Sequence, residues 1–409
     1  MRKVVMLSLD AFFDQDLAVS PEGDALTSFL KECAVCSEVK TVFPALTYPA
    51  HATLITGCDP SGHGIGQNQP FQPRTDKRHR AWYWDAAALR KPTIFDAVQA
   101  AGGKCASVFW PVTGRLKSIR WNMPEVAALP GENQLVKIMS YGTPAWMASM
   151  EMKYGRDRSG IQEPKLSNYA ARVVMDVVKH HRPDLTCAHL IDLDEMRHQY
   201  GTFSEEAKAA IHRHGERVEQ VWQTMQATRG MEDALLVLVS DHGQADVDRT
   251  VCLSEVLKEA NLGGCVQVQS CGMSAYLFGG AEVLARASEW MQSHPEVSGV
   301  SQVYGREELN RMGCAAGPCM AVEAAPGVVF SDMLEEKKRE KATHGFGPGH
   351  SAENCLLAVR GAGVRRGAVL PSMPMRDVAP TVAGLMGLIM PACEGKDHSQ
   401  EILEETGNA

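Results

Sequence analysis

The chain has 409 residues, of which 44% are hydrophobic and 22% are charged. This ordinary globular composition excludes a disordered protein, a coiled coil and a collagen. The net charge of −8 argues against a nucleic-acid polymer as partner, because a mildly acidic surface releases no counterions from a phosphate backbone. The length allows two or three domains, or one large α/β domain that carries an insertion.

The N-terminal segment predicts a buried strand. Its apolar run, Val4–Leu9, stops at Asp10 and is too short for the apolar region of an export signal. No apolar run approaches the ~20 residues of a membrane span, so we expect no membrane association. We therefore predict a cytoplasmic protein whose 12 cysteines are reduced. Cys33 and Cys36 could be half a zinc site or a redox pair, but no second CxxC accompanies them and two half-buried thiols are favoured.

Short apolar runs alternate with amphipathic segments along the chain, which predicts an α/β fold with a mainly parallel sheet. Helices are predicted from Pro92 to Gly103, from Leu166 to His180 and from Glu205 to Thr228. The predicted strands are Val4–Leu9, Cys105–Trp110, Thr186–Ile191, Ala234–Ser240 and Cys355–Val359.

The segment 261–342 differs from the rest of the chain. It contains short alternating stretches and many glycines, so we interpret it as a small α/β subdomain inserted late in the main fold. No internal repeat or low-complexity linker is visible. We therefore predict that residues 1–409 form a single catalytic domain with this one insertion.

Acidic residues and histidines occur where the predicted strands end. Alone, such an aspartate is usually a turn or cap residue and such a histidine a hydrogen-bonded one. Ligands of parallel sheets bind beyond the carboxyl ends of the strands, however, so residues at these ends can converge. Three aspartates and three histidines suit two divalent cations of borderline hardness. These residues are Asp10, Asp194, His198, Asp241, His242 and His344.

Thr47 is the candidate nucleophile. We predict that it caps the helix that contains Pro49 and ends at Gly57. A cap with no further role is one interpretation. The other is that the helix N-terminus attracts a phosphoryl group, while a nearby metal ion activates the hydroxyl.

Taken in order, the motifs resemble the type I phosphodiesterase/nucleotide pyrophosphatase branch of the alkaline phosphatase superfamily. The resemblance extends from residue 4 to about residue 362. It implies an alkaline-phosphatase-like three-layer α/β/α fold with a mainly parallel central sheet. The motifs are Asp10, FPALTYPAHATLITG from Phe43, His63-Gly64-Ile65 with Asn68, Phe109-Trp110-Pro111, Asp194-x-x-x-His198, Ser240-Asp241-His242-Gly243 and His344-Gly345-Phe346.

The resemblance also implies a role for each site residue. Asp10, Asp241 and His242 would hold one metal ion, with Thr47 Oγ1 as a further ligand, and Asp194, His198 and His344 would hold a second. Both ions are expected to be zinc. Thr47 would form a phosphothreonine intermediate, Asn68 would donate a hydrogen bond to a phosphoryl oxygen, and Tyr48 would stack on the substrate.

The motifs leave alternatives open at His344 and at Ala50. His350 lies close to His344 in the sequence, and we predict His344 as the metal ligand and His350 as a substrate-binding or simple loop residue. Ala50 stands where nucleotide-cleaving members commonly have asparagine, which weakens the nucleotide assignment. His51 and His63 are expected to be structural.

The leading functional hypothesis is hydrolysis of a small organic phosphodiester or pyrophosphate with a nucleotide-like group. A phosphomonoesterase is the first alternative, with Arg115, Lys117 and Arg120 as possible extra cationic contacts. A phosphonate hydrolase is the second, whereas a phosphomutase and a catalytically silent binding module with the same fold are disfavoured. No pattern in the sequence predicts the oligomeric state.

Overall fold

The structure is a computed structural model that describes residues 1–19, 24–73, 75–333, 340–390 and 392–404. Its strands are β1 (Val4–Leu9), β2 (Ala34–Lys40), β3 (Cys105–Val108), β4 (Ile119–Met123), β5 (Leu185–Leu190), β6 (Leu235–Val239), β7 (Ala245–Asp246), β8 (Arg249–Val251), β9 (Gln267–Ser270), β10 (Ser274–Phe278), β11 (Val300–Gly305), β12 (Met320–Ala324), β13 (Val328–Phe330), β14 (Ala342–Thr343), β15 (Asn354–Arg360) and β16 (Met373–Pro374).

Helices connect these strands. They are α1 (Asp14–Val19), α2 (Ala25–Leu30), α3 (Thr47–Thr56), α4 (Pro60–His63), α5 (Ile94–Ala100), α6 (Gln134–Tyr141), α7 (Pro144–Tyr154), α8 (Lys165–His180), α9 (Asp192–Tyr200), α10 (Glu205–Gln226), α11 (Leu253–Glu259), α12 (Ala281–Ser293), α13 (Pro295–Ser298), α14 (Arg306–Arg311), α15 (Val378–Leu385) and α16 (Ser399–Ile402). Short 3-10 turns cover Lys77–His79, Ala86–Ala88, Gly155–Asp157 and Met375–Asp377.

The central sheet has eight strands in the order β16-β2-β15-β6-β1-β5-β3-β4. Strand β15 runs antiparallel to both its neighbours, β2 and β6, and the remaining pairs are parallel. The prediction of a mainly parallel sheet is thus confirmed. Residues of β1 alternate between two hydrophobic cores, since Val5 and Leu7 face one and Val4 and Met6 face the other. A sheet buried on both faces in this way needs near-continuous apolar strands.

Helices cover both faces of the sheet, as the three-layer prediction requires. Residues of α2, α8 and α10 pack in the first core, and residues of α3, α5 and α15 pack in the second. Helix α5 starts two residues later than predicted, because Thr93 caps it through a capping box with Asp96 and Pro92 lies outside the helix.

A second sheet occupies much of the predicted insertion. It has four antiparallel strands in the order β11-β12-β10-β9, and its core also includes Val251, Leu253 and Leu257, which precede residue 261. Residues 334–339 of the predicted 261–342 segment lie outside the described residues. The division into one domain with an insertion stays a prediction.

The 12 cysteines all lie in described parts of the chain and none is paired. Cys33 and Cys36 are buried, and burial raises the pKa of the Cys33 thiol to about 12, so the interpretation as inert thiols is favoured. Within the described residues, no helix has the length and apolar character needed to cross a bilayer.

Candidate active site

The predicted metal-binding residues meet at one edge of the central sheet. Asp10 follows β1, and Asp241 follows β6 after one intervening residue. Asp194 lies in the first turn of α9, just beyond β5. Because β15 runs in the opposite direction, the segment before it reaches the same edge, and this segment carries His344. His344 precedes its strand, whereas the three aspartates follow theirs. The reversed direction of β15 explains why all four lie at the same edge of the sheet.

The first group consists of Asp10, Asp241 and His242, and all three are buried. The Nε2 atom of His242 lies 3.2 Å from Asp241 Oδ2 and 3.7 Å from Asp10 Oδ1. It also lies 3.2 Å from the hydroxyl oxygen of Thr47. Four potential ligand atoms, three oxygens and one nitrogen, thus converge on one point.

The chemistry of this group fits a divalent cation. Asp10 Oδ1 and Asp241 Oδ2 are buried and accept no hydrogen bond from any described residue. Four ligands placed 2.0–2.2 Å from a tetrahedral zinc ion would lie about 3.3–3.6 Å from one another, close to the separations around His242 Nε2. A cation between them would satisfy both oxygens.

The second group consists of Asp194, His198 and His344. Asp194 Oδ1 lies 3.4 Å from His198 Nε2 and 3.9 Å from His344 Nε2. The Nδ1 atoms of both histidines lie within hydrogen-bond distance of backbone carbonyls, 2.9 Å for His198 with Ala342 and 3.0 Å for His344 with Ala45. Donation from Nδ1 leaves the Nε2 lone pairs for a metal, which is the usual arrangement of metal-bound histidines.

The two groups adjoin each other. The rings of His242 and His344 stack with their centroids 3.8 Å apart and an interplanar angle of 13°. The nucleophile candidate lies beside this stack, so a phosphoryl group that reaches Thr47 would be next to both groups.

Thr47 is the first residue of α3, and the predicted cap is wrong. Leu46 occupies the N-cap position, and the helix has no side-chain cap. The Thr47 side chain faces His242 instead and is 9% exposed. The predicted helix end is confirmed, since Gly57 adopts the left-handed conformation with φ of 65°.

Asn68 contacts the backbone of Tyr48, the residue that follows the nucleophile candidate Thr47. The side-chain oxygen of Asn68 accepts a hydrogen bond of 3.0 Å from the Tyr48 N–H, so its amide nitrogen is the part that can donate to a ligand. Tyr48 is only 1% exposed and its ring packs edge-on against Trp82 with centroids 5.2 Å apart. It contributes to the wall of a pocket and is not an open platform.

His350 belongs to neither group. Its ring stacks on Phe346 at 4.2 Å, and its Nδ1 accepts from the N–H of Ala352. It lines a separate cavity of about 640 Å³ together with Glu323 and Tyr304 of the second sheet. A role for His350 in substrate binding stays a prediction.

His189 and Glu125 are neighbours of the site that sequence reasoning missed. His189 is buried in β5, with Nε2 2.9 Å from Asp10 Oδ2 and Nδ1 2.9 Å from Glu125 Oε2. It therefore holds the oxygen of Asp10 that points away from His242. The strand was predicted, but every residue of β5 is buried, so no alternation of polar and apolar positions distinguishes His189.

The predicted structural histidines have protein partners at both ring nitrogens. His51 contacts the Thr47 carbonyl at 2.8 Å and the Ser8 hydroxyl at 2.9 Å. His63 contacts the Thr53 hydroxyl at 3.0 Å and accepts from the Ile65 N–H at 3.1 Å. Although His51 also lies near His189 and Asp241, these bonds hold the loop and helix in place.

The pKa values of all three residues of the first group are shifted toward their neutral forms. Burial and the nearby Asp194 raise the pKa of Asp10 to about 6. Burial and the adjacent Asp10 raise the pKa of Asp241 well above its usual value. Burial and His344 lower the pKa of His242, which favours the neutral imidazole that metals bind. Clustered carboxylates with raised pKa values and a neutral imidazole are typical of a functional site.

An apolar pocket of about 500 Å³ opens beside Tyr48, the residue that follows Thr47. Tyr48 lines it, and so do Ile191 and Glu195, which flank Asp194 in the sequence.

Comparison with known proteins agrees with the family resemblance of the sequence motifs. A model of the family described as type I phosphodiesterase / nucleotide pyrophosphatase matches residues 4–346. Human ectonucleotide pyrophosphatase/phosphodiesterase family member 1 is 22% identical over 254 residues, which cover 58% of this chain and 23% of that protein. Bis(5'-adenosyl)-triphosphatase enpp4 of Xenopus laevis is 32% identical over 115 residues, or 27% of this chain and 24% of that one. The chain thus spans about a quarter of the length of these curated relatives.

Solved structures show the same fold. Murine ectonucleotide pyrophosphatase / phosphodiesterase 5, an inactive variant in complex with AMP, has a TM-score of 0.74 at 17% identity and covers 99% of this chain and 100% of its own. The human counterpart has a TM-score of 0.73 at 18% identity and covers 98% of this chain and 100% of its own.

Proposed function

Because the chain belongs to the type I phosphodiesterase / nucleotide pyrophosphatase family, we propose that it is a metal-dependent hydrolase that cleaves organic phosphodiester or pyrophosphate bonds. The observation that carries the proposal is the position of Thr47. Its hydroxyl oxygen lies 3.2 Å from His242 Nε2, where two unpartnered carboxylate oxygens also converge.

Two divalent cations complete this site in our proposal. Asp10, Asp241 and His242 would hold one beside Thr47, and Asp194, His198 and His344 would hold the other. Mixed carboxylate and imidazole ligands favour zinc over the harder magnesium or calcium. When bound, such cations lower the pKa of a hydroxyl group and stabilise negative charge on phosphoryl oxygens.

The reaction proceeds by two successive displacements, in which Thr47 is the nucleophile of the first and the leaving group of the second. First, the Thr47 oxygen forms a bond to phosphorus as the bond to the leaving oxygen breaks, and the phosphoryl group with its remaining substituent becomes attached to Thr47. Water then displaces Thr47 and releases a phosphomonoester. Two inversions at one phosphorus atom retain its configuration. Since α3 begins at Thr47, the positive end of the helix dipole lies at the nucleophile and favours the anionic phosphoryl group.

Asn68 stabilises the developing charge. Its oxygen is fixed by the Tyr48 N–H at 3.0 Å, which orients the amide nitrogen as a neutral donor. A donor that is already oriented before reaction costs no reorganisation when charge develops on the phosphoryl oxygens.

The surroundings of Arg115, one of the three predicted basic residues, argue against its use by a phosphomonoesterase. A monoester carries an extra negative charge that needs cationic contacts. Arg115 forms a 2.8 Å ion pair with Asp85 and lies over the Tyr141 ring at 3.9 Å, so its charge is already used. Phosphonate hydrolysis would use the same groups and remains the second candidate for assay. The cytoplasmic location stays a prediction from the sequence.

The proposal is tested by comparing kcat/KM in zinc-supplemented buffer for two substrates, thymidine 5'-(4-nitrophenyl phosphate) and 4-nitrophenyl phosphate. The family and the AMP complex of the murine relative make a nucleotide ester the first diester to assay. We expect a clear preference for the diester. A preference for the monoester would assign the chain to the phosphatases, and no hydrolysis of either ester would direct attention to phosphonates.

A further inference from the structure

Gln244 is a buried amide that lies two residues beyond His242, a member of the first metal group. The residue is only 1% exposed. An amide carries two donor hydrogens and one acceptor oxygen, and a buried amide that lacks partners for them costs free energy. The partners of this amide therefore show what it does in the fold.

The amide nitrogen of Gln244 contacts the second metal group. Its Nε2 donates to the carboxylate oxygen Oδ1 of Asp194, and to the backbone carbonyl oxygen of Asp194 at 3.2 Å. Both partners are acceptors, so the nitrogen of the amide, and not its oxygen, must face Asp194. Two hydrogen bonds from one nitrogen to the side chain and the backbone of the same residue fix the orientation of the carboxylate.

The oxygen that Gln244 holds is the one that faces the two histidines of the second group. Asp194 Oδ1 lies 3.4 Å from His198 Nε2 and 3.9 Å from His344 Nε2. A carboxylate oxygen can accept this hydrogen bond and still offer a lone pair to a cation. The hydrogen bond therefore orients the ligand atom itself, as partners of ligating carboxylates commonly do.

The backbone is fixed on both sides of Gln244. The N–H of Gly243 donates to the Ala352 carbonyl at 3.1 Å, and a Cβ atom on Gly243 would lie 2.6 Å from that carbonyl oxygen. On the other side, Ala245 pairs with Thr343 in the short ladder of β7 and β14. The amide thus reaches its partner from a fixed point of the chain.

The segment 241–245 contacts both metal groups. It contributes Asp241 and His242 to the first group and, through Gln244, a donor to the second. Its last residue pairs with β14, which directly precedes His344. A single short segment therefore holds parts of both groups in a fixed relation.

Stability alone does not account for an amide at this position. The Oε1 atom of Gln244 is buried and accepts no hydrogen bond from any described residue, which costs free energy. An apolar side chain of the same length would avoid this cost. The contact with Asp194 is therefore what the amide provides.

We propose that Gln244 is a positioning residue for the second metal group, and that its hydrogen bonds to Asp194 set the affinity of this group for its cation. The inference rests on the proposed metal-dependent function and adds a residue beyond the six expected ligands. Loss of a partner that orients a metal ligand lowers metal affinity by about 10–100-fold.

Gln244→Met tests the proposal, because methionine has a similar length but no donor. Zinc is titrated into metal-free protein against a competing chelator, and His344→Ala identifies which of the two affinities belongs to the second group. We expect this affinity to fall about 10–100-fold and that of the first group to change less than about twofold. Turnover of the diester should recover in excess zinc, which a purely structural defect would not allow.

Asn122→Leu is the matched control. Asn122 is 3% exposed, its amide donates to the Thr113 carbonyl at 2.6 Å, and its side-chain oxygen also lacks a partner among the described residues. The variant removes a buried amide of the same kind from β4, at the edge of the central sheet. It should change neither zinc affinity.

Gln244→Asn gives a second measurement if methionine prevents folding. It keeps a buried amide but shortens the side chain by one methylene group, which withdraws the donor from Asp194, so the same selective loss is expected. An unchanged zinc affinity of the second group, an equal loss at both groups, or an equal loss in Asn122→Leu would overturn the positioning role and leave the phosphodiesterase intact. If the unmodified protein bound no zinc, the proposed function would fail as well.

Discussion

Two buried carboxylate oxygens, Asp10 Oδ1 and Asp241 Oδ2, explain much of the chemistry at the scale of single residues. Each has lost its water without gaining a protein donor, which costs free energy in a metal-free protein. The same arrangement leaves both oxygens free for a cation. The same two oxygens thus lower the stability of the metal-free protein and supply ligands for the active site. Substitutions of neighbouring residues should separate their effects on metal binding from their effects on turnover.

Thr47→Ala should lose at least about a thousandfold in kcat while retaining both metal ions. The side chain is one ligand atom among four, and the carboxylates and imidazole remain. Metal content by mass spectrometry and turnover of the diester are the two measurements. Near-normal turnover would exclude Thr47 as the nucleophile.

His189→Gln should weaken metal binding at the Asp10 group by about 10–100-fold, because His189 orients the Asp10 carboxylate through its second oxygen. Titration with zinc against a chelator measures the two sites separately, and the Asp194 site should keep its affinity. His294→Gln, which removes a histidine stacked on Trp290 in the second sheet's core region, is the control. A uniform loss at both sites would indicate general destabilisation instead.

The difference between Asp10 and His189 shows where sequence reasoning ends at this scale. Asp10 could be predicted because a charged residue that directly follows an apolar strand stands out. His189 lies within a strand that is buried on both faces, so its direction depends on pairing with β1 and β3. The prediction of Thr47 as a cap was wrong because Leu46 occupies the N-cap position and the Thr47 hydroxyl faces His242, a contact between distant segments.

At the scale of elements, the loop before β15 places His344 in the site. Gly345 adopts a φ of +94°, and a Cβ atom there would lie 1.7 Å from the Cys271 carbonyl oxygen. The loop thus passes directly against the segment before β10, and the N–H of Met273 donates to the His344 carbonyl at 2.9 Å. Only glycine allows this approach.

Gly345→Ala should therefore destabilise the fold by about 2–4 kcal/mol and reduce metal binding at the Asp194 group, since His344 must move. Gly349→Ala is a matched control in the same loop, with a φ of +83° and no atom near its added Cβ. It should cost only the left-handed strain of about 1–2 kcal/mol. Urea unfolding and zinc titration of both variants check this, and equal losses would contradict the close-approach argument.

The elements themselves were largely predictable. All five predicted strands are confirmed within two residues, because strands buried on both faces have a continuous apolar pattern. In the central sheet, strands β2, β4 and β16 were not predicted from the sequence. Strand β2 has exposed and intermediate positions among its buried ones, and β16 has only two residues, so neither has that pattern.

At the scale of the whole molecule, metal binding should stabilise the fold in a pH-dependent way. Asp10 has a pKa of about 6 in the metal-free fold, above the 3.8 that is usual for an aspartate, because of burial and Asp194. An acid with a raised pKa binds its proton more tightly in the folded state, so the metal-free protein loses stability as the pH rises from about 4 through 6. Below about pH 6 the proton also competes with the cation.

The rise in Tm on adding zinc should accordingly be larger at about pH 7.5 than at about pH 5, as measured by calorimetry. Removal of metal with a chelator at the higher pH should lower Tm and abolish turnover, and added zinc should restore both. An equal zinc effect at the two pH values would contradict the role of Asp10 as a ligand.

The most direct test of the central claim is to trap the covalent intermediate. Zinc-loaded protein is mixed with a 4-nitrophenyl phosphodiester, quenched in acid within the first turnover and digested for mass spectrometry. We predict that the peptide containing Thr47 carries the phosphoryl group together with its remaining ester substituent, and that Thr47→Ala protein carries none. Release of nitrophenolate with an unmodified Thr47 peptide, or with the label on another residue, would contradict the account.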